Sequence, residues 1–179
     1  MGERRSKNER LGIIMIINIR GHEILVDEKD AHFAKEKWFL QPTKAKSFKY
    51  YARAAIKIDG KWKKFYLHRL IMNAAPGVQI DHINGCTLDN RRENLRFATA
   101  GQNCFNSKKR QGSTHSQFKG VTREHGKWRA RITHGGKKSS LGMFTSEESA
   151  ALAYDCAALE KFGEFAHTNF RPTGKMYVL

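Results

Sequence analysis

Cysteine is scarce in this chain of 179 residues, with three copies and no Cys-x-x-Cys pair. An odd number of scattered thiols argues against a disulfide framework and against a zinc site built on cysteine pairs. We therefore expect an intracellular protein with no disulfide and no structural zinc.

Long apolar segments are also missing from the chain. The run LGIIMIINI, which follows a basic N-terminal stretch, lacks a small-residue cleavage site and is too short to span a bilayer. The segment INIRGHEILVD alternates in chemistry after that run, and this pattern predicts a buried strand and a hairpin. We expect no membrane partner.

Acidic residues are too few to balance the basic ones: 17 Asp and Glu stand against 33 Lys and Arg, for a net charge of +16. Such an excess repels itself and contributes nothing to folding, so it indicates a polyanionic partner, most commonly nucleic acid. A membrane surface is the second possibility, but no amphipathic basic helix supports it. Apolar residues make up 40% of the chain, enough for a packed core.

The N-terminal third has the pattern of an antiparallel sheet. Strand-forming runs flank Arg20-Gly21 and Asp59-Gly60, and both pairs are typical of hairpin turns. A short helix is predicted over residues 69–75, where Pro76-Gly77 ends it.

The segment QIDHINGCTLDNRRENLR concentrates an acid, an imidazole and amides in one small unit. Turn and cap residues divide it into short elements. The predicted elements are a strand over residues 78–83 carrying Asp81 and His82, a turn at Asn84-Gly85, a return strand at residues 87–88, and a helix over residues 91–98 capped by Asp89 or Asn90.

These residue types suit the hydrolysis of a phosphodiester, which needs an activated water and a cation near the developing charge. Asp81 is a hard oxygen ligand, and Asn94 supplies a second oxygen; Mg²⁺ is the expected ion, with Mn²⁺ as the alternative. His82 has the pKa range of a general base. Neighbours on a strand point to opposite faces, so a twist or kink must bring Asp81 and His82 to one site.

The pattern DH-x-NG-x₃-DNR-x₂-NLR, with the preceding YLHRLIMNAAPG, resembles the HNH homing endonucleases of phages and introns over roughly residues 50–105. The resemblance implies a ββα-metal fold in which His82 is the general base and Asn90 braces the loop. It implies that Asp81 and Asn94 bind the metal. His68 is a possible accessory residue, for which a structural or peripheral role is favoured.

The C-terminal third predicts a sheet with one apolar and one cationic face. Trp128, Ala130 and Ile132 alternate with Arg129, Arg131 and Thr133, and the return strand adds Lys138 and Ser140 to the cationic side. A helix over residues 146–162, with Thr145 and Glu148 as a capping box, carries small residues that would pack on the apolar face. The cationic face has the width of a strand pair that enters the DNA major groove.

The segments FKGV, WRARI and LGMFTSEESAALAYDCAALEKFGEFAHTNF resemble the AP2 DNA-binding domain over about residues 117–170. Thr122, Glu124, Thr133 and Ser140 depart from that family's pattern, so the plant recognition sequence is not carried over. The resemblance implies DNA contacts at Lys119, Arg123, Arg129, Arg131, Thr133, Lys138 and Ser140.

Together these patterns predict an α+β protein, with an N-terminal antiparallel sheet and ββα-metal motif followed by a three-stranded sheet packed on one helix. The predicted organisation is a flexible N-terminus (1–11), an HNH domain (12–102), a basic linker (103–116), an AP2-like domain (117–170) and a tail (171–179).

The predicted function is sequence-guided, metal-dependent cleavage of double-stranded DNA, in which a monomer or weak dimer nicks one strand at a time. The pairing of the two families suggests a homing-type enzyme, encoded by a phage or acting in a bacterial cytoplasm. Two alternatives remain: a DNA-binding regulator whose HNH unit is inert, and an RNA-binding protein, although no aromatic strand motif typical of RNA binding is present.

Overall fold

The structure, a computed structural model, describes residues 13–43, 49–109 and 116–170. The chain divides into two compact units, Met1–Phe97 and Ala98–Leu179. No helix within the described ranges is long and apolar enough to cross a membrane. The predicted N-terminal segment (1–11) and tail (171–179) lie outside the described residues.

Both predicted hairpins of the first unit are present, but the prediction that the first strand is buried is wrong, since Ile14 and Ile16 are 46% and 54% exposed. The hairpin turns place Arg20 and Gly21, and likewise Asp59 and Gly60, at positive φ, which matches the twist of the flanking strands. The sheets are β1-β2 and β3-β4-β5, each with antiparallel neighbours. The elements are β1 (Ile14–Ile19), β2 (His22–Asp27), a 3-10 helix (Glu28–Lys35), β3 (Trp38–Pro42), β4 (Tyr50–Ile58) and β5 (Lys61–Tyr66).

Helix α1 (Leu67–Ile71) begins and ends earlier than the predicted range of 69–75. Leu67 and Ile71 lie one helical turn apart and are 0% and 2% exposed in the core of the first unit, so burial selects this turn. The Arg69 guanidinium donates to the carbonyls of residues 74, 75 and 78, which holds the following segment in a non-helical path.

The predicted return strand at 87–88 and the predicted helix over 91–98 are both wrong. Strand β6 (Gln79–His82) pairs with β7 (Leu95–Ala98), and only a 3-10 turn (Arg92–Asn94) precedes β7. The segment before that turn instead joins β2: Leu25 donates to the Leu88 carbonyl (3.0 Å) and Asn90 donates to the Leu25 carbonyl (2.8 Å). Backbone and side-chain hydrogen bonds of this kind compete with a helix.

The second unit contains a three-stranded antiparallel sheet in the order β10-β9-β8 and a helix packed on one face of it. Ala150, Ala158 and Tyr154 of the helix lie against Ala130 and Ile132 of the central strand, and the small side chains allow close approach. The elements are α2 (Ala100–Phe105), β8 (Val121–Glu124), β9 (Lys127–His134), β10 (Lys137–Phe144) and α3 (Glu147–Phe162).

The cap of α3 differs from the predicted capping box at Thr145 and Glu148. Ser146 is the N-cap residue, and its hydroxyl accepts a hydrogen bond from the Ser149 N–H (3.1 Å). In the middle of α3, Asp155 accepts hydrogen bonds from the backbone N–H groups of Asn169 (2.8 Å) and Phe170 (2.9 Å), which ties the C-terminal segment to the helix.

Helix α2 covers the start of the predicted linker (103–116). Thr99 and Gln102 form a capping box at its N-terminus, and Phe105 at its end stacks on Phe162 with ring centroids 3.9 Å apart. Residues 110–115 of that linker lie outside the described residues. The predicted domain boundaries therefore stay a prediction.

Gly120 is expected to be the most restrictive glycine of the second unit. A Cβ there would lie 2.0 Å from the Tyr154 ring, and φ is +78°. Gly126 has a similar φ of +75° but nothing within 4 Å of its Cβ position. Both alanine variants should lose about 1–2 kcal/mol through the left-handed backbone, and Gly120→Ala should lose a further ~1–3 kcal/mol through overpacking.

The measurement is urea unfolding of the two variants beside the wild type. The comparison isolates the contacts of the new Cβ with the Tyr154 ring and the Arg131 carbonyl, because the backbone penalty is common to both substitutions. Equal losses in the two variants would contradict the packing described for Gly120 and Tyr154.

Candidate active site and nucleic-acid interface

Strand β6 places Asp81 and His82 side by side in the interior of the first unit, where they are 4% and 5% exposed. Asp81 Oδ2 accepts hydrogen bonds from Arg96 Nε (2.9 Å) and Nη2 (2.7 Å) on the neighbouring strand β7. A buried carboxylate needs such a partner, because an isolated charge is strongly disfavoured in an apolar interior. The ion pair therefore holds Asp81 in a defined position.

His68 lies next to His82, and the two ring centroids are 5.2 Å apart in an edge-on arrangement. Tyr66 stacks on His68 at 5.7 Å, and Tyr51 lies 5.2 Å from His68 and 6.1 Å from His82. We call these four residues, Tyr51, Tyr66, His68 and His82, the imidazole cluster. The possible accessory residue of the sequence pattern is thus in direct contact with the predicted base.

Both imidazoles of the cluster are held in their neutral form. Burial lowers the pKa of His82 to about 4, although Asn90, Asp81 and Asp89 act in the opposite direction. Burial, with His82 and Arg69 nearby, lowers the pKa of His68 to about 3. Both rings are therefore in the unprotonated form that a general base needs at pH 7, and a pKa well below 7 makes each of them a weak base.

Asparagine side chains hold the loop that follows β6. Asn94 Oδ1 accepts a hydrogen bond from the Asn84 N–H (2.9 Å), and Asn94 Nδ2 donates to the Asp89 carbonyl (2.8 Å). Asn90 Nδ2 donates to the Leu88 carbonyl (3.0 Å), and the Asn90 side chain also interacts with His82. Asn94 therefore braces the loop, and its predicted role as a metal ligand stays a prediction.

Asp89 anchors the same loop. It is 3% exposed, accepts from Asn84 Nδ2 (2.8 Å) and pairs with Arg91 at 2.8 Å. Burial opposes ionisation here, but the hydrogen bonds from Arg91 hold the pKa of Asp89 below its ordinary value. Asp89 is therefore an ionised carboxylate, and its bonds to Asn84 and Arg91 hold the loop in place.

Sequence reasoning missed Arg96, Tyr51 and Tyr66 as neighbours of the site. Arg96 was assigned to a helix; a strand at residues 95–98, with Leu95 facing the core, would have directed Arg96 to the opposite side. The tyrosines were recognised only as strand residues, and only the packing of α1 on its neighbours brings them to His68.

The described side chains around Asp81 do not form a closed cage for a divalent cation. Among the described residues, no group of three or more His, Cys, Asp or Glu could hold a metal ion. Mg²⁺, however, uses one or two carboxylates and completes its shell with water and substrate phosphate oxygens. Asp81 supplies such a carboxylate, and Arg96 holds its Oδ2. A cation bound here would have to take that oxygen from Arg96, and its site would be an open one, not a closed protein cage.

In the second unit, the exposed sheet face carries five of the seven residues predicted to contact DNA. The register pairs Thr133 with Lys138 and Arg131 with Ser140, and Arg129 follows on the same side of β9. Glu124 of β8 forms ion pairs with Arg129 (3.0 Å) and Arg131 (3.1 Å). The carboxylate therefore orients both guanidinium groups along the face.

The other two predicted contacts lie elsewhere. Arg123 lies over the Trp128 ring at 5.6 Å, on the opposite side of the sheet from Arg129. Lys119 Nζ donates to the carbonyls of Phe105 and Ser107, both at 2.7 Å, and burial lowers the pKa of this amine. Lys119 thus fastens the C-terminus of α2 to the sheet.

A groove beside this face adds further positive charge. Its volume is about 550 Å³, and Lys108, Arg131 and Lys138 are among the residues that line it. Positive side chains around an open groove raise the local concentration of a polyanion.

Comparison with known proteins finds relatives for two regions of the chain. The model of the HNH endonuclease family matches residues 65–104, which include His68, Asp81, His82, Asn90 and Asn94. An uncharacterized HNH endonuclease of Acanthamoeba polyphaga mimivirus is 32% identical over 146 residues, which cover 78% of this chain and 74% of that protein. The chain belongs to the HNH endonuclease family, as its sequence pattern predicted.

A second region is similar to plant transcription factors. The AP2-like ethylene-responsive transcription factor PLT2 of Arabidopsis thaliana is 51% identical over 59 residues, 31% of this chain and 10% of that protein. CRL5 of Oryza sativa subsp. japonica is 49% identical over 59 residues and is covered to 9%. The chain therefore spans about a tenth of each plant protein, and the likeness extends to this region alone.

Acidification is expected to destabilise the first unit through its two neutral imidazoles. In the unfolded chain each binds a proton below about pH 6.5, whereas His82 and His68 in the folded chain do so only near pH 4 and pH 3. Stability is therefore complete above pH 6.5 and falls as the pH drops towards 4. At pH 5 the loss is at most about 2 kcal/mol for each imidazole.

Thermal melts at pH 7.5 and pH 5, followed by tryptophan fluorescence, measure this loss. His68→Gln should reduce the pH dependence, because one of the two buried imidazoles is removed. His22→Gln, which removes an exposed imidazole from the same unit, is the matched control. The same pH dependence in all three proteins would rule out the burial argument.

Proposed function

We propose that this protein is a metal-dependent endonuclease that nicks double-stranded DNA, and that its second unit selects the site. The observation that carries the proposal is the buried pair Asp81 and His82, which β6 places side by side and in which the imidazole is neutral. Membership of the HNH endonuclease family supports nuclease activity, and the excess of 16 positive charges supports a polyanionic substrate.

His82 acts as the general base in this proposal. Its neutral ring takes a proton from the attacking water, and the interaction with Asn90 favours the imidazolium that results. Asp81 and the predicted ligand Asn94 would hold Mg²⁺, or Mn²⁺ as the alternative, and the bound cation supplies charge stabilisation at the phosphate and the leaving oxygen. Arg96 positions Asp81, and Asp89 positions the loop.

The second unit binds the DNA major groove through its cationic strand face. A strand pair fits that groove, and arginine pairs with the edge of guanine by two hydrogen bonds. Similarity to transcription factors over this region supports the assignment. Glu124, which departs from the plant pattern, holds Arg129 and Arg131 in place. The base preference of this face therefore depends on a residue that the plant proteins do not share.

One site in one chain hydrolyses one strand, so a monomer nicks and a double-strand break requires a second copy or a second encounter. The pairing of an HNH unit with an AP2-like unit leads us to assign the protein to the homing type, in a phage or a bacterial cytoplasm.

A second candidate function is a DNA-binding regulator with an inert HNH unit. The ion pair between Asp81 and Arg96 favours it, because the guanidinium occupies the carboxylate that a cation would need. The two candidates differ in whether DNA bound by the protein is cut.

Cleavage of supercoiled plasmid by the wild type and by His82→Ala, with Mg²⁺ and with EDTA, tests the proposal. We expect Mg²⁺-dependent nicking by the wild type and a loss of about 10²–10⁴-fold in the variant, because a general base contributes this factor. Plasmid binding should be retained by the variant. His22→Gln serves as the matched histidine substitution.

If both proteins bind the plasmid and neither nicks it with any divalent metal, the regulator becomes the better assignment. Nicking that persists in His82→Ala at the wild-type rate would instead remove His82 from the mechanism.

Arg131 is expected to read bases. Arg131→Ala should weaken binding to the preferred duplex, obtained by selection from a random library, by about 1–3 kcal/mol more than binding to a scrambled duplex. The control is Lys137→Ala. Lys137 is also an exposed cation, but it pairs with His134, so its side chain lies on the side of the sheet opposite to Arg131. Equal losses on the two duplexes would make Arg131 a phosphate contact.

A further inference from the structure

The three-stranded sheet of the first unit has a face that turns away from the core. Ala52 and Ala54 of β4 are each 1% exposed and face the core. Successive side chains on a strand point to opposite faces, so Arg53 and Lys57 face outward. We call this surface the outer face and define it by six residues, which the strand register places on one side: Phe39, Arg53, Lys57, Trp62, Lys64 and Tyr66.

The charges on the outer face are all positive. Arg53, Lys57 and Lys64 are its ionisable cations, and Asp59 at the hairpin turn is the one carboxylate of residues 50–66. The Nε atom of Arg53 is buried and has no hydrogen-bond partner within the described part of the chain. A buried guanidinium donor without an acceptor is costly, and a phosphate oxygen would satisfy it.

Large aromatic rings are exposed on the same face. Trp62 is 70% exposed and Phe39 is 42% exposed. Trp62 lies directly opposite Lys57 in the strand register, so an aromatic ring and a cation are presented together. Many nucleic-acid-binding proteins place lysine or arginine against the phosphate backbone and apolar or aromatic side chains against the bases.

The outer face is continuous with the imidazole cluster. Tyr66 is paired with Arg53 in the register and stacks on His68, which contacts His82. Trp62 is four residues from Tyr66 along β5, a distance of about 13 Å at roughly 3.3 Å per residue. That distance equals about four base pairs of duplex at roughly 3.4 Å each.

We propose that the outer face binds the DNA duplex beside the scissile phosphate, independently of the strand face in the second unit. Arg53, Lys57 and Lys64 contact backbone phosphates, and Trp62 contacts bases of the same stretch of duplex. This inference rests on the proposed function in taking duplex DNA as the substrate, and it assigns DNA binding to the nuclease unit itself.

The hairpin offers a matched pair of double variants for the test. Lys57→Gln with Lys64→Gln removes two charges from the outer face, whereas Lys61→Gln with Lys63→Gln removes two exposed charges from the other side of the same hairpin. Both full-length proteins have the same net charge. Fluorescence anisotropy with a labelled duplex, over a range of salt concentrations, measures the affinity and its salt dependence.

We expect the outer-face variant to reduce the slope of log K against log salt by about 1.8, since each lost phosphate contact removes about 0.9. The control pair should reduce the slope by less than half as much. Equal reductions would show that only total charge matters and would overturn the proposal, as would tighter binding of a matched RNA duplex through these lysines.

Trp62 is tested separately by its own fluorescence. Duplex binding should quench part of the tryptophan emission of the wild type, and Trp62→Phe should remove that quenching with the other two tryptophans unchanged. Quenching of equal amplitude in the variant would overturn the base contact. The phenylalanine keeps an aromatic ring at an exposed position, so folding is not at risk.

The binding readouts do not depend on cleavage, which separates the two proposals. If the slope and quenching effects are seen but the wild type never nicks DNA, the outer-face proposal is supported and the nuclease proposal is wrong. If the wild type nicks DNA but the two lysine pairs reduce the slope equally, the nuclease proposal is supported and the outer-face proposal is wrong.

Discussion

A carboxylate and a guanidinium are buried together where β6 meets β7, and the side chains of Asp81 and Arg96 are only 5% and 12% exposed. Removing either partner would leave the other charge buried without a counter-charge, which would lower the free energy of unfolding by about 3–5 kcal/mol. The pair therefore joins the two strands and sets the position of His82, the next residue along β6. The loop between the strands is in turn held by Asn94 and Asp89.

Burial has opposite consequences for the two kinds of titratable group in the first unit. It lowers the pKa of His68 and His82 and keeps both rings neutral, while ion pairing keeps Asp81 and Asp89 at fixed positions. Desolvation disfavours the charged form of a buried imidazole, whereas hydrogen bonds and an opposite charge keep a buried carboxylate ionised. The positive charge of the chain is instead presented on exposed sheet faces, where it is well solvated.

Much of the architecture was accessible from local pattern. The two hairpin turns, the alternation along β9 and the small-residue stripe of α3 were predicted and are present. The helix predicted over residues 91–98 was wrong, because apolar spacing alone cannot detect that Leu25 pairs with the chain at residues 88–90. Local pattern also gave no sign that the Lys119 amine donates to two carbonyls at the end of α2; its predicted DNA contact stays a prediction.

Residue types and their short-range order predicted the family correctly and singled out the candidate carboxylate, imidazole and amides. Those properties depend on side-chain chemistry and on strand or helix periodicity, which act over a few positions. Tertiary packing alone decided that Arg96 pairs with Asp81, that His68 contacts His82, and that Tyr66 connects the site to an exposed cationic sheet. These contacts join residues distant in sequence, and the free energy of burial that selects them is a property of the folded core.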